Sequence, residues 1–315
     1  MNALPAGFKV RHLTTADLPA AQALLDACET ADSGELCVHE MDLAVASRSP
    51  HFELDDNTWV VLAADGGFAA VGWLWTPHDD NVVTSDHYVR PDCRTLDFDA
   101  LLLDLIEERA RCYAGERREA GGVRLLTWAE DKLEERCELV RERGFKVVRQ
   151  LFQMRLDLTP APSPPRWPEG ITVRPIRPEF DGKRAHAASQ EAFREHFLHW
   201  PTPYEEWLPY SLEREGLDPE LWLLAWDGDE IAGQVWVQQR DGEVLVEDLS
   251  VRKPWRGRGL GLALLLGEFG CLAERGYDFV RLFVDAQNTT GAVELYLRAG
   301  MRRERRFYVF EKQLS

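Results

Sequence analysis

The sequence predicts an α+β fold built twice: in each of two tandem domains, a mixed, mostly antiparallel sheet flanked by helices. Three observations carry this expectation. The same text occurs twice, Phe8-Lys-Val-Arg-His-Leu returning as Ile171-Thr-Val-Arg-Pro-Ile and Thr58-Trp-Val-Val-Leu-Ala as Leu221-Trp-Leu-Leu-Ala-Trp, at an offset of about 160 residues that is too long for a solenoid repeat. Between the copies, residues 158–170 hold five prolines, the composition of a semi-rigid extended linker. Within each copy the hydrophobic pattern reads strand, one or two helices, three strands, helix, strand, helix, final strands. The expected division is therefore a domain at 1–157, a linker at 158–170 and a second domain at 171–315.

Taken in order, the first copy has strands at 8–13, 58–63 and 68–75 before it reaches Val89-Arg-Pro-Asp-Cys-Arg94-Thr-Leu-Asp97-Phe-Asp99. β-Branched and aromatic residues dominate these runs, as a half-buried pleated surface requires. The second copy repeats the order with strands at 171–176, 221–226, 230–237 and 244–251, followed by Arg256-Gly-Arg-Gly259-Leu-Gly261 and an apolar helix. A strand at 279–284 comes next. Asp285-Ala-Gln-Asn288 then leads into a helix at 289–299, which Gly300 caps.

A chain of 315 residues, 45% hydrophobic, is long enough for two full cores. No apolar run approaches the roughly 20 residues of a membrane span, and the opening MNALPAGFKV lacks the basic start and hydrophobic stretch of a secretory signal. Cys28, Cys37, Cys93, Cys112, Cys137 and Cys271 form no Cys-x-x-Cys pair and have no His at ligand spacing. Reduced thiols in a cytoplasmic protein are expected. The net charge of −17 argues against nucleic acid and anionic membranes as partners. Through Pro160 there are 17 basic and 29 acidic residues, net −12, leaving net −5 for the remainder. A negative field favours a cationic acceptor such as an amine, and it serves solubility equally well.

The most informative segment is 251–266, VRKPWRGRGLGLALLL. Gly257, Gly259 and Gly261 have no Cβ, so backbone N–H groups can turn inward at the positive end of the following helix and hold an anion. A phosphorylated cofactor is implied. The spacing Gly-x-Gly-x-Gly is not the Gly-x-Gly-x-x-Gly of dinucleotide sites, and the Gly-Lys-Ser/Thr of a P-loop is absent. An ordinary glycine-rich turn is the plain alternative. What the segment does match is Arg-x-x-Gly-x-Gly, read as Arg256, Gly259 and Gly261, five residues after the strand-end Val251. It resembles motif A of the GNAT acyltransferase superfamily, in which this loop holds the pyrophosphate of acetyl-CoA. The run from Asn288 through Tyr296 to Gly300 resembles motif B, whose Asn contacts the cofactor and whose Tyr sits beside its sulfur. By helix position alone, Tyr296 fits a core aromatic as well.

The resemblance implies an acetyl-CoA-dependent N-acetyltransferase acting on a small-molecule amine. Glu247-Asp248-Leu249-Ser250-Val251 resembles the Glu-Asp-x-x-Val that precedes the loop in polyamine-acetylating members. By that likeness, main-chain groups of Leu249 and Val251 pair with the pantetheine beside a strand bulge, with Ser250 between them. Arg256, Gly257, Arg258, Gly259, Leu260, Gly261 and Asn288 complete the cofactor set. Acyl transfer to an amine needs a neutral nucleophile, a polarised carbonyl and a proton for the departing thiolate. Glu247 or Asp248 takes the ammonium proton. Glu247 is favoured, because successive strand residues point to opposite faces and only one should meet the cleft unless a bulge intervenes. For either, a solvated strand-edge carboxylate is the plain alternative. Tyr296 supplies the thiolate proton. No Ser-His-Asp set or Cys nucleophile points to a covalent route, so direct attack in a ternary complex is expected.

The first copy serves as an internal control. Aligned without gaps on 251–261, it puts Asp97 at the position of Gly259 and Asp99 at that of Gly261. A carboxylate about 5 Å from a pyrophosphate charge costs on the order of 1 to 3 kcal/mol per pair. Aligning Gly144 with Gly300 likewise puts Lys132 at the position of Asn288 and Val140 at that of Tyr296. A degenerate N-terminal domain and a catalytic C-terminal one are expected.

Residues 192–207 would cover the cleft in a GNAT fold, and Trp200, Tyr204, Trp207, Glu205 and Glu206 would offer a site to a cationic acceptor. Helix packing is the plain alternative for each aromatic. His196 and His199 stand three apart, a metal-ligand spacing, but no third ligand accompanies them and no metal is expected. The tandem layout and length also resemble the mycothiol synthases, which acetylate an amino-sugar cysteine conjugate, although Leu245 stands where their pattern has a catalytic Glu. Two other classes stay open. One is a CoA-binding scaffold with vestigial catalysis; the other is a tandem aminoacyl-tRNA-dependent ligase, which the intact loop and the acidic charge oppose. The acceptor, the acyl length and homodimerisation are not decided by sequence.

Overall fold

The computed structural model describes residues 4–34, 43–49, 51–76, 81–117, 122–240, 243–288 and 290–314, so Cys37 and the expected helix start at Thr289 lie outside the described residues. In chain order the first elements are β1 (Lys9–Arg11), α1 (Leu18–Ser33), α2 (Leu43–Ala46), α3 (Leu54–Asn57), β2 (Thr58–Leu62), β3 (Phe68–Trp75), β4 (Val82–Val89), α4 (Phe98–Arg117), β5 (Val123–Glu130), α5 (Glu134–Glu142) and β6 (Lys146–Asp157). The same order, with two helices in place of three before the second strand, then recurs as β7 (Ile171–Pro175), α6 (Pro178–Phe193), α7 (Tyr204–Trp207), β8 (Trp222–Asp227), β9 (Glu230–Arg240), β10 (Glu243–Val251), α8 (Leu260–Glu274), β11 (Phe279–Asp285), α9 (Ala292–Arg298) and β12 (Arg302–Leu314). This is the expected α+β order, twice over.

The compact units comprise Met1–Gln150 with Phe307–Ser315, and Leu151–Arg306. In the first, β1 to β5 lie side by side in sequence order. Residues 307–314 of β12 then pair antiparallel with β5, from Phe307↔Glu130 to Leu314↔Val123. In the second, the order is β6, β11, β10, β9, β8, β7, with residues 151–157 of β6 antiparallel to β11 from Leu151↔Asp285 to Asp157↔Phe279. Each unit thus takes its last strand from the other half of the sequence. The expected halves follow the chain, whereas the compact units follow these pairings.

The second unit's core lies between its sheet and α8. Leu260, Leu264, Leu265, Phe269 and Leu272 recur at helical spacing and bury against Val235, Val237, Val244, Val246, Val280 and Leu282. Trp167 of the expected linker packs on this layer. A Cβ at Gly267 would lie 3.0 Å from its ring, so the small residue admits the contact. On the opposite face, α6 covers Trp222, Trp226 and Trp236.

Candidate active site

Parallel strands β10 and β11 pair at Leu245↔Arg281. Beyond that point they bound a cleft of about 500 Å³, lined by Val246, Glu247, Leu249, Ser250 and Val251 on one side and Leu282 to Asp285 on the other. In the first unit, the equivalent strands β4 and β5 stay paired from Val82↔Arg124 to Ser85↔Thr127, and Ser85 Oγ donates to Leu126 O at 3.1 Å. The two units therefore differ in how far the sheet is zipped, and the longer opening is in the second.

The β9–β10 register shifts between Val246, opposite Val237, and Asp248, opposite Trp236, which makes Glu247 the extra residue of a bulge. Gly233 permits the tight pairing beyond it, since a Cβ there would stand 2.6 Å from Ser250 O. The bulge gives the adjacent carboxylates different surroundings. Glu247 lines the cleft and stays open to solvent on that side. Protein surrounds it elsewhere, and this burial pushes its carboxyl up, with Arg214 opposing and Asp248 adding to the shift. Asp248 is 7% exposed. Its Oδ2 accepts from Ser189 Oγ at 2.6 Å and Gln234 Nε2 at 3.1 Å. Burial raises its carboxyl to about 6 against these hydrogen bonds. Tyr296, on α9, is buried in the core cluster and lines the cleft at once. Burial, and then the nearby Asp248, hold its phenol protonated well above the ordinary value.

The glycine loop carries Gly257 at φ 75° and Gly259 at φ 84°, the latter as N-cap of α8. Both require a residue tolerant of left-handed backbone. An added Cβ at either meets nothing within 4 Å, so a side chain there would stand in the space such a cradle keeps clear. The first N–H groups of α8 have no intrahelical acceptor, which leaves them available to an anion. Together, the splayed strand edge and the open cradle fit a long phosphorylated thioester such as acetyl-CoA.

Arg256 also lines the cleft, but its guanidinium acts as a bracket: Nε donates to Val251 O and Nη2 to Ala192 O, both at 2.9 Å. Leu260, Gly261 and Asn288 are in the wall as well. The Asn288 side-chain oxygen Oδ1 accepts from the Thr290 N–H at 2.7 Å and from the Thr290 hydroxyl. Arg258 is exposed and stands outside the lining.

The 192–207 region divides. Phe193 and His196 enter the cleft wall. Tyr204 and Trp207 pack instead, with His186 5.5 Å and 5.1 Å from their rings and Trp222 5.7 Å from Trp207. Glu205 is exposed and Glu206 half-buried. Among the described residues, no group of three or more His, Cys, Asp or Glu is placed to hold a metal.

At the corresponding place in the first unit, Asp99 Oδ1 lies 3.0 Å from Nε2 of the fully buried His87. Arg136 Nη2 donates to Asp86 Oδ1 at 2.9 Å. His87 stands at the position of Leu249 and Asp86 at that of Asp248, so a charged cluster occupies this region. Val140, at the Tyr296 position, is fully buried in the core.

Sequence reasoning missed Ser189 and Gln234, the partners of Asp248. They lie 59 and 14 residues from it in the chain, and no local pattern announces them. It also missed Glu294, Leu295 and Arg298, which line the cleft and could have been found by helical spacing from Gly291.

The profile of the Acetyltransferase (GNAT) family matches residues 185–301. The chain is 30% identical to the mycothiol acetyltransferase of Geodermatophilus obscurus over 318 aligned residues, covering 96% of each chain. It is 28% identical to that of Catenulispora acidiphila, covering 93% of this chain and 95% of the relative. Among solved structures, a GCN5-related N-acetyltransferase from Sphaerobacter thermophilus superposes with a TM-score of 0.78 at 32% identity, covering 99% of this chain and 97% of that one. A tandem GNAT protein from the clavulanic acid biosynthesis pathway shares the fold, with a TM-score of 0.70 at 16% identity over 97% of this chain and 98% of that one.

Proposed function

Given that this chain belongs to the GNAT acetyltransferase family and is an N-acetyltransferase, we propose that its second unit moves an acetyl group from acetyl-CoA to a primary amine of a small molecule by direct attack. The observation that carries this reading is that the bulge, the glycine loop and Tyr296 all open into one shared cleft. Acetyl-CoA held there supplies a thioester, which is reactive toward a neutral amine. The loop N–H groups and the α8 N-terminus bind its phosphates. The edge of β10 from Leu249 to Val251, beyond its pairing with β11 at Leu245, offers main-chain groups to the pantetheine. Glu247, open to the cleft and with a raised carboxyl, takes the ammonium proton directly or through water. Tyr296, kept protonated, returns a proton to the leaving sulfur. Asp248 is enclosed behind the bulge and acts on Tyr296 through its charge. The first unit, zipped through Ser85 and filled by Asp99 and His87, is read as non-catalytic.

A mycothiol-type acceptor is the second reading, favoured by relatives of that name that match along nearly the whole chain. Leu245, buried at 2% exposure, replaces the Glu of that pattern, so the base would have to be Glu247. A screen of polyamines, aminoglycosides, amino acids and amino-sugar thiols, read by CoA release, tests both. Silence across the panel with acetyl-CoA would reject amine acetylation.

A further inference from the structure

The roof of the cleft is tied to the loop beneath it. Arg252 Nε meets Glu191 at 2.8 Å, Arg256 reaches Ala192 O at 2.9 Å, and Lys253 lies 3.9 Å from Glu195. These contacts bring the end of α6, with Phe193 and His196, into the same wall as Arg256, Asp285 and Asn288. The His196 ring sits edge-on to Phe193 with centroids 4.7 Å apart, and the His196 main-chain N–H donates to Phe193 O at 2.8 Å. Two residues on, Leu198 has φ 58°, a left-handed conformation that a bulky side chain adopts only when its surroundings impose it. The turn carrying the imidazole is therefore a held one.

Around the loop, three of the four cations between residues 252 and 258 are already engaged. Arg256 is spent on two backbone carbonyls, Arg252 on Glu191 and Glu230, and Lys253 on Glu195. Arg258 is exposed outside the cleft, and Arg298 lies on the α9 wall. The charged and titratable groups that act on His196 are Arg256 from the loop, His199 from its own turn and Asp285 from the end of β11. Burial, then Arg256 and His199, hold the imidazole below its ordinary value, with Asp285 opposing. We propose that His196 is a cofactor-binding residue that takes up a proton as the phosphate-bearing arm of acyl-CoA enters the cleft, so that binding and protonation are coupled. The inference rests on the acyl-CoA reading above. A phosphate charge about 5 Å away favours the imidazolium by roughly a factor of 5 to 200 at an effective dielectric of 80 to 20. The proton gained then supplies the cation that the engaged arginines do not.

The test is calorimetry of CoA binding to the full chain near pH 7, in buffers of different ionisation heat. The wild type should take up at least about 0.3 proton, and its Kd should rise by up to about tenfold per pH unit above neutrality. His196→Gln should lose this uptake and bind CoA about tenfold more weakly at pH 6.5, converging on the wild type by pH 9. Titration of the CoA phosphates is common to both proteins and cancels in the difference. His199→Gln should keep the uptake. Imidazole nitrogen NMR of the wild type gives the same answer without a variant, with the His196 ring neutral when free and cationic with CoA bound. CoA binding without uptake, uptake persisting in His196→Gln, or a ring still neutral in the complex each overturns the inference alone. Failure of the wild type to bind CoA overturns the cofactor reading together with it.

Discussion

Replacing Asp248 by Asn isolates the electrostatics of the bulge. The native carboxyl titrates at about 6 because it is buried, while an unfolded Asp titrates near 3.9. Between these values the folded state binds more protons than the unfolded one. The group's stabilisation is therefore fully present below the unfolded value and is lost as pH rises through about 6. The two limits differ by about 3 kcal/mol, of which about 1.4 kcal/mol is still present at pH 5 and essentially none at pH 8. Asn cannot ionise, so this pH dependence disappears. Any cost of disturbing the hydrogen bonds from Ser189 and Gln234 applies at both pH values and cancels in the comparison. Measured by denaturant unfolding, Asp248→Asn should be more favourable relative to wild type at pH 8 than at pH 5 by about 1.4 kcal/mol, or about 4 °C in Tm for a unit of this size. A stability difference equal at the two pH values would refute the raised carboxyl, and with it the view that Asp248 is enclosed.

Tyr296→Phe removes only the phenolic proton and should lower kcat by about a hundredfold while CoA affinity measured by calorimetry stays within about twofold; an unchanged kcat removes Tyr296 from the chemistry. Glu247→Gln should lower kcat/KM by about a hundredfold or more at neutral pH, and an unaltered pH–rate profile would exclude it as the base. Gly261→Asp copies the first unit, brings Cβ to 3.3 Å from Leu295 and sets a carboxylate against the phosphates, so CoA affinity should fall at least about tenfold. CoA should bind with a stoichiometry of one per full chain, and a second site would end the non-catalytic reading of the first unit.

By itself, the sequence determined the α+β order and its repetition, because alternating and helical hydrophobic periods are local signals, and the ranges of β10 and β11 and the place of α8 follow from them. It also located the glycine turn proposed as an anion cradle, since Gly257 and Gly259 answer a local demand for positive φ, and Asp97 and Asp99 already set the two copies apart in composition. Tertiary structure alone decided what depends on contacts distant in the chain. Residues 151–157 and 307–314 join sheets on opposite sides of the chain's midpoint, because strand pairing is satisfied wherever an edge is free. Glu247 and Asp248 are neighbours in sequence, yet one faces the cleft and the other Ser189 and Gln234, because a single unpaired residue resets the register of β10 against β9. Tyr204 and Trp207, plausible acceptor contacts on composition, are drawn into packing by His186 and Trp222. Arg256 acts as a bracket because the carbonyl of Ala192, 64 residues away, lies within its reach, and no local pattern encodes that distance.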